Sequence, residues 1–161
     1  MKTVAVGLGA NLGDAKASVL AAIAVLDQLP QTHLLRASKL YRTPAWGHTE
    51  QPDFINAVAL LKTGLGARVL LDRLLAVERD FGRVRASGER WGPRTLDLDL
   101  LLFGLDVIDE PGLQVPHPHL HERAFALLPL AEIAPAMSIP GAGIVGELAA
   151  AMASDGIEAI P

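Results

Sequence analysis

Two aspartates, Asp97 and Asp99, are the side chains of this 161-residue chain whose type and spacing most clearly predict chemistry. They lie in an apolar run that alternates as a β-strand does. Alternation places both carboxylates on one face of the strand, with Cα atoms roughly 7 Å apart. Because adjacent carboxylates repel each other and are costly to bury without a partner, the pair predicts a bound hard cation such as Mg²⁺.

Arginines are concentrated just before the two aspartates. Five of the ten arginines fall between Arg79 and Arg94, in or beside residues 82–93, which we expect to form a loop. A guanidinium presents a fixed fork of donors that matches a phosphate group. Because loops of this length are usually functional or mobile, we expect this one, with Trp91, to close over a phosphate-bearing ligand. Together the acids and the arginines indicate magnesium-dependent phosphoryl transfer.

An acid pair on a strand is often only the solvated face of an edge strand. Residues 100–103 are all apolar, which favours burial on both faces instead. We expect the strand to present two sets of side chains, Leu96, Leu98, Leu100 and Leu102 on one face and Asp97, Asp99, Leu101 and Phe103 on the other.

Composition limits the class of protein. Half of the residues are hydrophobic, so we expect one compact domain spanning residues 1–161. No apolar run approaches a membrane span, there is no signal-peptide pattern and there is no cysteine, so we expect a cytoplasmic protein without disulfides or membrane contact. The net charge of −4 argues against general nucleic-acid binding.

Hydrophobic periodicity predicts an α+β fold of the ferredoxin-like type, with an antiparallel sheet and helices packed on it. The order β-α-β-β-α-β comes from strands at residues 2–9, 32–42, 53–62 and 96–103 and helices at 15–29 and 66–81. The second helix should bury Leu70, Leu71, Leu74, Leu75 and Val77. A hairpin at 107–115, a helix at about 122–134 and a last helix at 147–152 should follow.

Glycines at positions 7, 9 and 13 follow the first strand. Their spacing does not fit the dinucleotide fingerprint, and no Gly-Lys-Ser/Thr closes a Walker A loop. We therefore expect residues 7–14 to form a tight structural turn, with Asp14 as the N-cap of the first helix.

Three other positions leave alternatives open. Asn56 is either a satisfied core amide or a hydrogen-bonding group aimed at a heterocycle, with Phe54 on the same face to stack on it. Glu78 lies beside the buried stripe of its helix and could merely pair with a neighbouring arginine. The histidines at 117, 119 and 121 could mimic a zinc site, although Pro118 should splay them.

Residues 90–101, Arg-Trp-Gly-Pro-Arg-Thr-Leu-Asp-Leu-Asp-Leu-Leu, closely resemble the signature of the 6-hydroxymethyl-7,8-dihydropterin pyrophosphokinases of folate biosynthesis. Segments at 9–13, 41–44, 51–57, 78–85, 115–118 and 122–125 also look like family segments in order. The resemblance implies a ferredoxin-like enzyme that transfers the terminal diphosphate of ATP to the hydroxymethyl group of the reduced pterin and releases AMP.

The resemblance also implies roles for individual residues. Asp97 and Asp99 would hold two Mg²⁺ ions, and Arg83 and Arg94 would neutralise the moving phosphates. The ATP side would comprise Leu71, Glu78, Arg85, Trp91, Leu100, Leu113, His117 and Arg123. The pterin side would comprise Thr43, Pro44, Ala45, Trp46, Phe54, Asn56 and Phe125. ATP and a reduced pterin would be the substrates, with no nucleic-acid or membrane partner, and the protein would be a monomer.

Two rival functions are a metal-dependent phosphohydrolase and a non-catalytic nucleotide- or pterin-binding domain. The first would release inorganic phosphate from ATP without a pterin. The second would bind a ligand without releasing AMP, and the two adjacent carboxylates argue against it because a sensor does not need them.

Overall fold

A computed structural model describes residues 1–44, 52–82, 96–154 and 156–160. The first part of the chain forms β1 (Lys2–Ala10), α1 (Ala15–Leu26), β2 (Thr32–Ala37), β3 (Leu40–Thr43), β4 (Phe54–Thr63) and α2 (Ala67–Gly82). The second part forms β5 (Asp97–Phe103), β6 (Ile108–Glu110), β7 (Leu113–Val115), α3 (Ala124–Ile133), β8 (Ser138–Ile139), β9 (Gly143–Ile144), α4 (Val145–Ala150) and β10 (Glu158–Ile160). A 3₁₀ turn, Leu120–Glu122, precedes α3.

The main sheet is antiparallel throughout and runs in the order β10-β3-β4-β1-β5, with β2 also paired to β4. Central strand β1 therefore lies between β4 and β5, and β5, which carries the acid pair, is an edge strand. The arrangement confirms the predicted ferredoxin-like α+β fold.

Helices cover both faces of the sheet. On one face α1 and α2 pack on residues such as Val6 and Leu61, and on the other α3 and α4 pack on residues such as Val58 and Leu101. The two hydrophobic clusters share no side chain, because successive residues of a strand point to opposite faces. Asp14 caps α1 as predicted, its side chain accepting a hydrogen bond of 3.0 Å from the backbone N–H of Ala17.

The single strand predicted for residues 32–42 is two strands, which is a correction. Both β2 and β3 pair with β4, and Ser38 bridges the break between them. The hydroxyl of Ser38 accepts from the backbone N–H of Val58 at 2.9 Å and its own backbone N–H donates to the Val58 carbonyl. A side chain that replaces part of the strand ladder allows the chain to bend without leaving buried groups unpaired.

The turn predicted for residues 7–14 is also wrong in its first half. Strand β1 continues to Ala10, because Gly7 and Gly9 pair with β4 on one side and with β5 on the other. Double-sided pairing outweighs the low strand preference of glycine.

The alternation predicted for residues 96–103 holds only through Leu101. Val6 pairs with Leu100 whereas Ala5 pairs with Leu102, so β5 carries a bulge at Leu101. Consequently Leu101 and Leu102 both belong to the α3 cluster, and Phe103 lies with Leu100 in the α1–α2 cluster. An extra residue on one strand shifts the alternation by one, which no local pattern reveals.

Smaller corrections concern the helices and the end of the chain. Leu75 is 41% exposed instead of buried, and Leu71 is only partly buried. Helix α1 ends at Leu26 instead of residue 29, and α4 begins at Val145, two residues before the predicted helix. Hairpin β6–β7 and α3 were predicted within one or two residues, whereas β8, β9 and β10 were not predicted.

Candidate functional site

Asp97 and Asp99 lie opposite the two strand glycines of β1, with Asp97 paired to Gly9 and Asp99 to Gly7. Residues paired directly across neighbouring strands point to the same face of the sheet. The same row continues into β4, where Gly9 also pairs with Asn56. The acid pair and Asn56 thus share one face, separated by a strand that has no side chain at this level.

A cavity of about 400 Å³ lies above this row. Two phenylalanines from different elements, Phe54 on β4 and Phe125 on the first turn of α3, both line it. Its other lining residues are Gly7, Leu8, Gly9, Thr43, Pro44, Asn56, Ala57, Asp97, Asp99, Leu101, His117, Leu120, Arg123 and Ala126. An apolar cavity with few polar groups suits a flat heterocycle.

Asn56 is the buried amide of this cavity, with 7% of its surface exposed. Its Nδ2 donates to the hydroxyl of Thr43 at 2.9 Å. This bond fixes the orientation of the amide and also satisfies it in part. The amide is thus satisfied in part by a neighbour and also lines the cavity, so both alternatives that the sequence left open stay open.

Gly9 makes room for that amide. A Cβ atom at residue 9 would lie 2.9 Å from Oδ1 of Asn56, closer than side-chain atoms tolerate, whereas a Cβ at Gly7 would lie 3.4 Å from Leu101. The glycines thus form the floor of the cavity. The sequence contained a signal for this role, namely two glycines alternating within a strand pattern, which marks a close approach of another group.

A second, more open cavity of about 990 Å³ lies over the edge of the sheet, between α2 and the β6–β7 hairpin. Apolar walls come from Leu71, Leu98, Leu100 and Leu113. The remaining lining residues are Leu75, Glu78, Asp97, Asp99, Asp109, Glu110, Pro111, Gly112, Gln114, His117, Pro118, His119 and Arg123. The sequence did not indicate Asp109, Glu110 or Gln114, which only the folding of the hairpin brings to this groove, and it indicated His119 only as part of a possible zinc site.

Four residues line both cavities: Asp97, Asp99, His117 and Arg123. The edge position of β5 explains this arrangement, because within the described residues no further strand separates the acid-bearing face from the groove on the α2 side. A group bound in one cavity therefore meets a group bound in the other at the carboxylates.

Glu78 is held by the strand that carries the acids. Its Oε2 accepts a hydrogen bond of 2.7 Å from the backbone N–H of Leu98, the residue between Asp97 and Asp99. An edge strand leaves backbone groups without a strand partner, and a carboxylate from α2 satisfies this one. The bond shows that Glu78 does more than pair with an arginine at the surface.

His117 is held beside β5 by its backbone N–H, which donates to the carbonyl of Leu101 at 2.9 Å. Burial lowers the pKa of His117; the charge of Asp99 opposes this effect, and the charges of Arg123 and His119 reinforce it. The backbone N–H of His119 donates to Nδ1 of His117 at 3.3 Å, so the neutral ring carries its proton on Nε2.

Arg123 precedes α3 and contacts one of the cavity aromatics. Its guanidinium carbon lies 5.7 Å from the centroid of the Phe125 ring, within cation–π range. This contact joins the Arg123 guanidinium, where the two cavities meet, to the Phe125 ring, which lines the smaller cavity.

The described residues bring together most of the predicted site. Thr43, Pro44, Phe54, Asn56 and Phe125 line the smaller cavity, and Leu71, Glu78, Leu100, Leu113, His117 and Arg123 line the larger one. Six predicted residues, Ala45, Trp46, Arg83, Arg85, Trp91 and Arg94, lie outside the described residues.

Residues 1–44, 52–82, 96–154 and 156–160 contain neither a cluster of metal-binding side chains nor a membrane-spanning helix. No group of three or more His, Asp or Glu side chains is arranged there to hold a metal ion, so His117, His119 and His121 form no zinc site. Within that same part of the chain, no helix combines the length and the apolar composition needed to cross a bilayer.

Comparison with known sequences gives consistent matches. The model of the 7,8-dihydro-6-hydroxymethylpterin-pyrophosphokinase (HPPK) family matches residues 5–135. The 2-amino-4-hydroxy-6-hydroxymethyldihydropteridine pyrophosphokinase of Pseudomonas aeruginosa is 46% identical over 161 residues, which cover 100% of this chain and 98% of the relative. The Haemophilus influenzae protein of the same name is 42% identical over 148 residues, which cover 92% of this chain and 91% of the relative.

Solved structures share the fold at much lower identity. A chain of Plasmodium falciparum HPPK-DHPS has a TM-score of 0.69 and 13% sequence identity, covering 92% of this chain and 40% of that chain. This chain thus spans about two fifths of the length of that solved protein. At such identity the likeness concerns the fold alone.

Proposed function

Because this chain belongs to the 7,8-dihydro-6-hydroxymethylpterin-pyrophosphokinase family, we propose that it transfers the terminal diphosphate of ATP to the hydroxymethyl group of 6-hydroxymethyl-7,8-dihydropterin and releases AMP. In this step of folate biosynthesis the hydroxymethyl oxygen bonds to the β-phosphorus of ATP, and the bond from that phosphorus to the AMP oxygen breaks. The observation that carries the proposal is the position of Asp97 and Asp99 where the two cavities meet.

The smaller cavity is proposed to bind the pterin. Phe54 and Phe125 line it from the sheet and from α3, as needed to stack on a flat ring, and Asn56 offers amide oxygen and nitrogen to the hydrogen-bonding edge of the ring. Thr43 orients Asn56 through the hydrogen bond of 2.9 Å. In this position the hydroxymethyl group would face the acid pair.

The larger groove is proposed to bind ATP. Leu71, Leu100 and Leu113 supply apolar surface for the adenine, and His117 and Arg123 lie where phosphates would approach the pterin. His117 is neutral near pH 7 because burial lowers its pKa, and its Nε2–H can donate to a phosphate oxygen. Arg123 supplies positive charge at the same place.

The donor set at the junction fits magnesium. Asp97 and Asp99 offer hard carboxylate oxygens on one face of a strand, and both line the cavities of the two substrates. We propose that they hold two Mg²⁺ ions, which when bound would neutralise phosphate charge and stabilise both the attacking and the leaving oxygen. Glu78 keeps the backbone between the two acids in place.

Arg83 and Arg94 are proposed to neutralise the moving phosphates, with Arg85 and Trp91 also on the ATP side and Ala45 and Trp46 on the pterin side. These assignments rest on the family signature in the sequence. We further propose that the chain forms one domain, is a monomer and acts in the cytoplasm, where ATP is abundant.

An assay for AMP tests the function directly. MgATP is incubated with the protein, with and without 6-hydroxymethyl-7,8-dihydropterin, and AMP should form only when both substrates are present. Release of inorganic phosphate without pterin would instead indicate a phosphohydrolase. Binding of either substrate without AMP formation would indicate a non-catalytic domain.

Asp97→Ala should lower kcat/KM by at least about a hundredfold while the protein stays folded, because it removes a carboxylate at the reacting centre. Asp106→Ala is the matched control, since Asp106 is a partly exposed acid three residues after β5 ends. Its carboxylate pairs with Lys2 at 3.0 Å and lines neither cavity. Near-normal turnover by Asp97→Ala would show that the metal assignment is wrong.

A further inference from the structure

The last segment of the chain returns to the main sheet beside the proposed pterin cavity. Strand β10 pairs antiparallel with β3, with Glu158 opposite Arg42 and Ile160 opposite Leu40. This segment follows residue 135, the last residue of the family match. The pairing makes β10 an edge strand and encloses the four-residue strand β3 between β10 and β4.

Strand β3 leads directly into the cavity wall. Thr43 is its last residue, Pro44 follows, and both line the cavity. The hydroxyl of Thr43 orients the Asn56 amide. The position of β3 therefore sets where Pro44 and the hydroxyl of Thr43 lie relative to a ring bound in the cavity.

Gly156 lies close to Pro44 of that wall. The register of β10 and β3, extended by two residues, places residue 156 opposite residue 44. A Cβ atom at residue 156 would lie 3.4 Å from Cγ and 3.6 Å from Cδ of Pro44. Gly156 also has a φ of +80°, which favours glycine.

Backbone pairing and burial, more than charge, hold β10 in place. Ile160 packs against the α1–α2 hydrophobic cluster, opposite Leu40. The ion pair of 3.1 Å between Arg42 and Glu158 has side chains 45% and 67% exposed, so it contributes little.

We infer that the segment from Gly156 to Ile160 is a positioning element for the pterin side of the site: it fixes β3 and Pro44 and thereby sets affinity for the pterin without affecting ATP. This inference rests on the proposed function. The two are distinguishable, because failure of the unaltered protein to form AMP would defeat the proposed function before any variant is compared.

Gly156→Leu tests the inference, with Gly141→Leu as its matched control. Gly141 has a φ of +82° and no heavy atom within 4 Å of a Cβ placed there, so both variants carry the same backbone strain but only one meets Pro44. Gly156→Leu should raise KM for the pterin by about tenfold, since small displacements of binding groups have large effects, and should leave KM for MgATP unchanged. Gly141→Leu should change neither KM.

A truncation ending at Ser154 provides a second measurement, with melting temperature recorded for every variant. It should raise KM for the pterin at least as much as Gly156→Leu does, again without changing KM for MgATP. If the truncated chain does not fold, the comparison of Gly156→Leu with Gly141→Leu tests the inference by itself. Unchanged pterin KM in Gly156→Leu, or an equal rise in both KM values, would overturn the inference.

Discussion

At the scale of single residues, the site depends on where side chains are missing as much as on where they are present. Gly9 lies between Asn56 of β4 and Asp97 of β5, and its lack of a Cβ lets the Asn56 amide occupy the space above it. Gly7 lies beside Asp99 in the same way. The strand that separates the Asn56 amide, proposed to bind the pterin, from the acid pair therefore carries no side chain at these two positions.

Gly9→Ala should raise KM for the pterin by about tenfold or more, because its Cβ would lie 2.9 Å from Oδ1 of Asn56 and would push the amide away. Gly7→Ala adds the same methyl group on the same cavity floor but at 3.4 Å from Leu101, an ordinary contact, and should have a smaller effect. Steady-state kinetics with the pterin varied at saturating MgATP distinguish them. Equal effects of the two variants would contradict the role given to Asn56.

At the scale of elements, the edge strand β5 makes the acid pair accessible from both cavities, and α2 supplies an acceptor for a backbone N–H that β5 leaves without a strand partner. In the part of the chain that the structure describes, strand β5 pairs with β1 alone, which opens the acid pair to both cavities. Glu78 of α2 accepts the hydrogen bond from the backbone N–H of Leu98 at 2.7 Å. One helix residue thus stabilises the backbone on which both carboxylates stand.

Glu78→Ala should lower the free energy of unfolding by about 1.5–3 kcal/mol, the range for losing a hydrogen bond to a charged group. It should also raise the Mg²⁺ concentration that gives half-maximal activity, because the strand between the acids loses its support. Glu78→Gln keeps an acceptor oxygen and should retain much of both properties. Denaturant unfolding measures the stability, and Mg²⁺ titration of activity measures the Mg²⁺ requirement. If the two variants behaved alike in both measurements, Glu78 would not support the strand through its acceptor oxygen.

At the scale of the whole molecule, α3 is tied to the sheet on the side away from α1 and α2. Glu132 accepts hydrogen bonds from the hydroxyl of Tyr41 at 2.6 Å and from the backbone N–H of Lys39 at 3.1 Å. Tyr41 lies on β3 and Phe125 lies in the first turn of α3, so this tie joins two elements that line the smaller cavity. Burial, then the hydrogen bond and charge of Glu132, raise the pKa of Tyr41 well above its ordinary value of 10.0.

The direction of the pH effect follows from that shift. Above pH 10 the phenol ionises in the unfolded chain but stays protonated in the folded one, so the stability that the Tyr41 proton contributes is present below pH 10 and is lost as the pH rises further. We therefore expect the free energy of unfolding of the unaltered protein to fall more steeply above pH 10 than that of Tyr41→Phe. Because Tyr41 is the only tyrosine, tyrosinate absorbance reports its titration alone. Ionisation near pH 10 in the folded protein would contradict this prediction.

Local patterns were sufficient for much of the fold and for the chemistry. Period-two alternation placed Asp97 and Asp99 on one face, and the N-cap at Asp14 and the positions of most helices and strands were correct within a few residues. These features depend on neighbours within a few positions along the chain, which the sequence displays directly.

Long-range pairing decided the remainder. Four features each join residues far apart in sequence: the bulge at Leu101, the hydrogen bond that Leu98 N–H donates to Glu78, the packing of Asn56 over Gly9 and the return of β10 to β3. Their partners are selected by packing and by the need to pair every buried backbone group, and neither appears in a window of local residues. The sequence alone determined that two carboxylates stand side by side, and only the tertiary structure decided that two cavities meet at them.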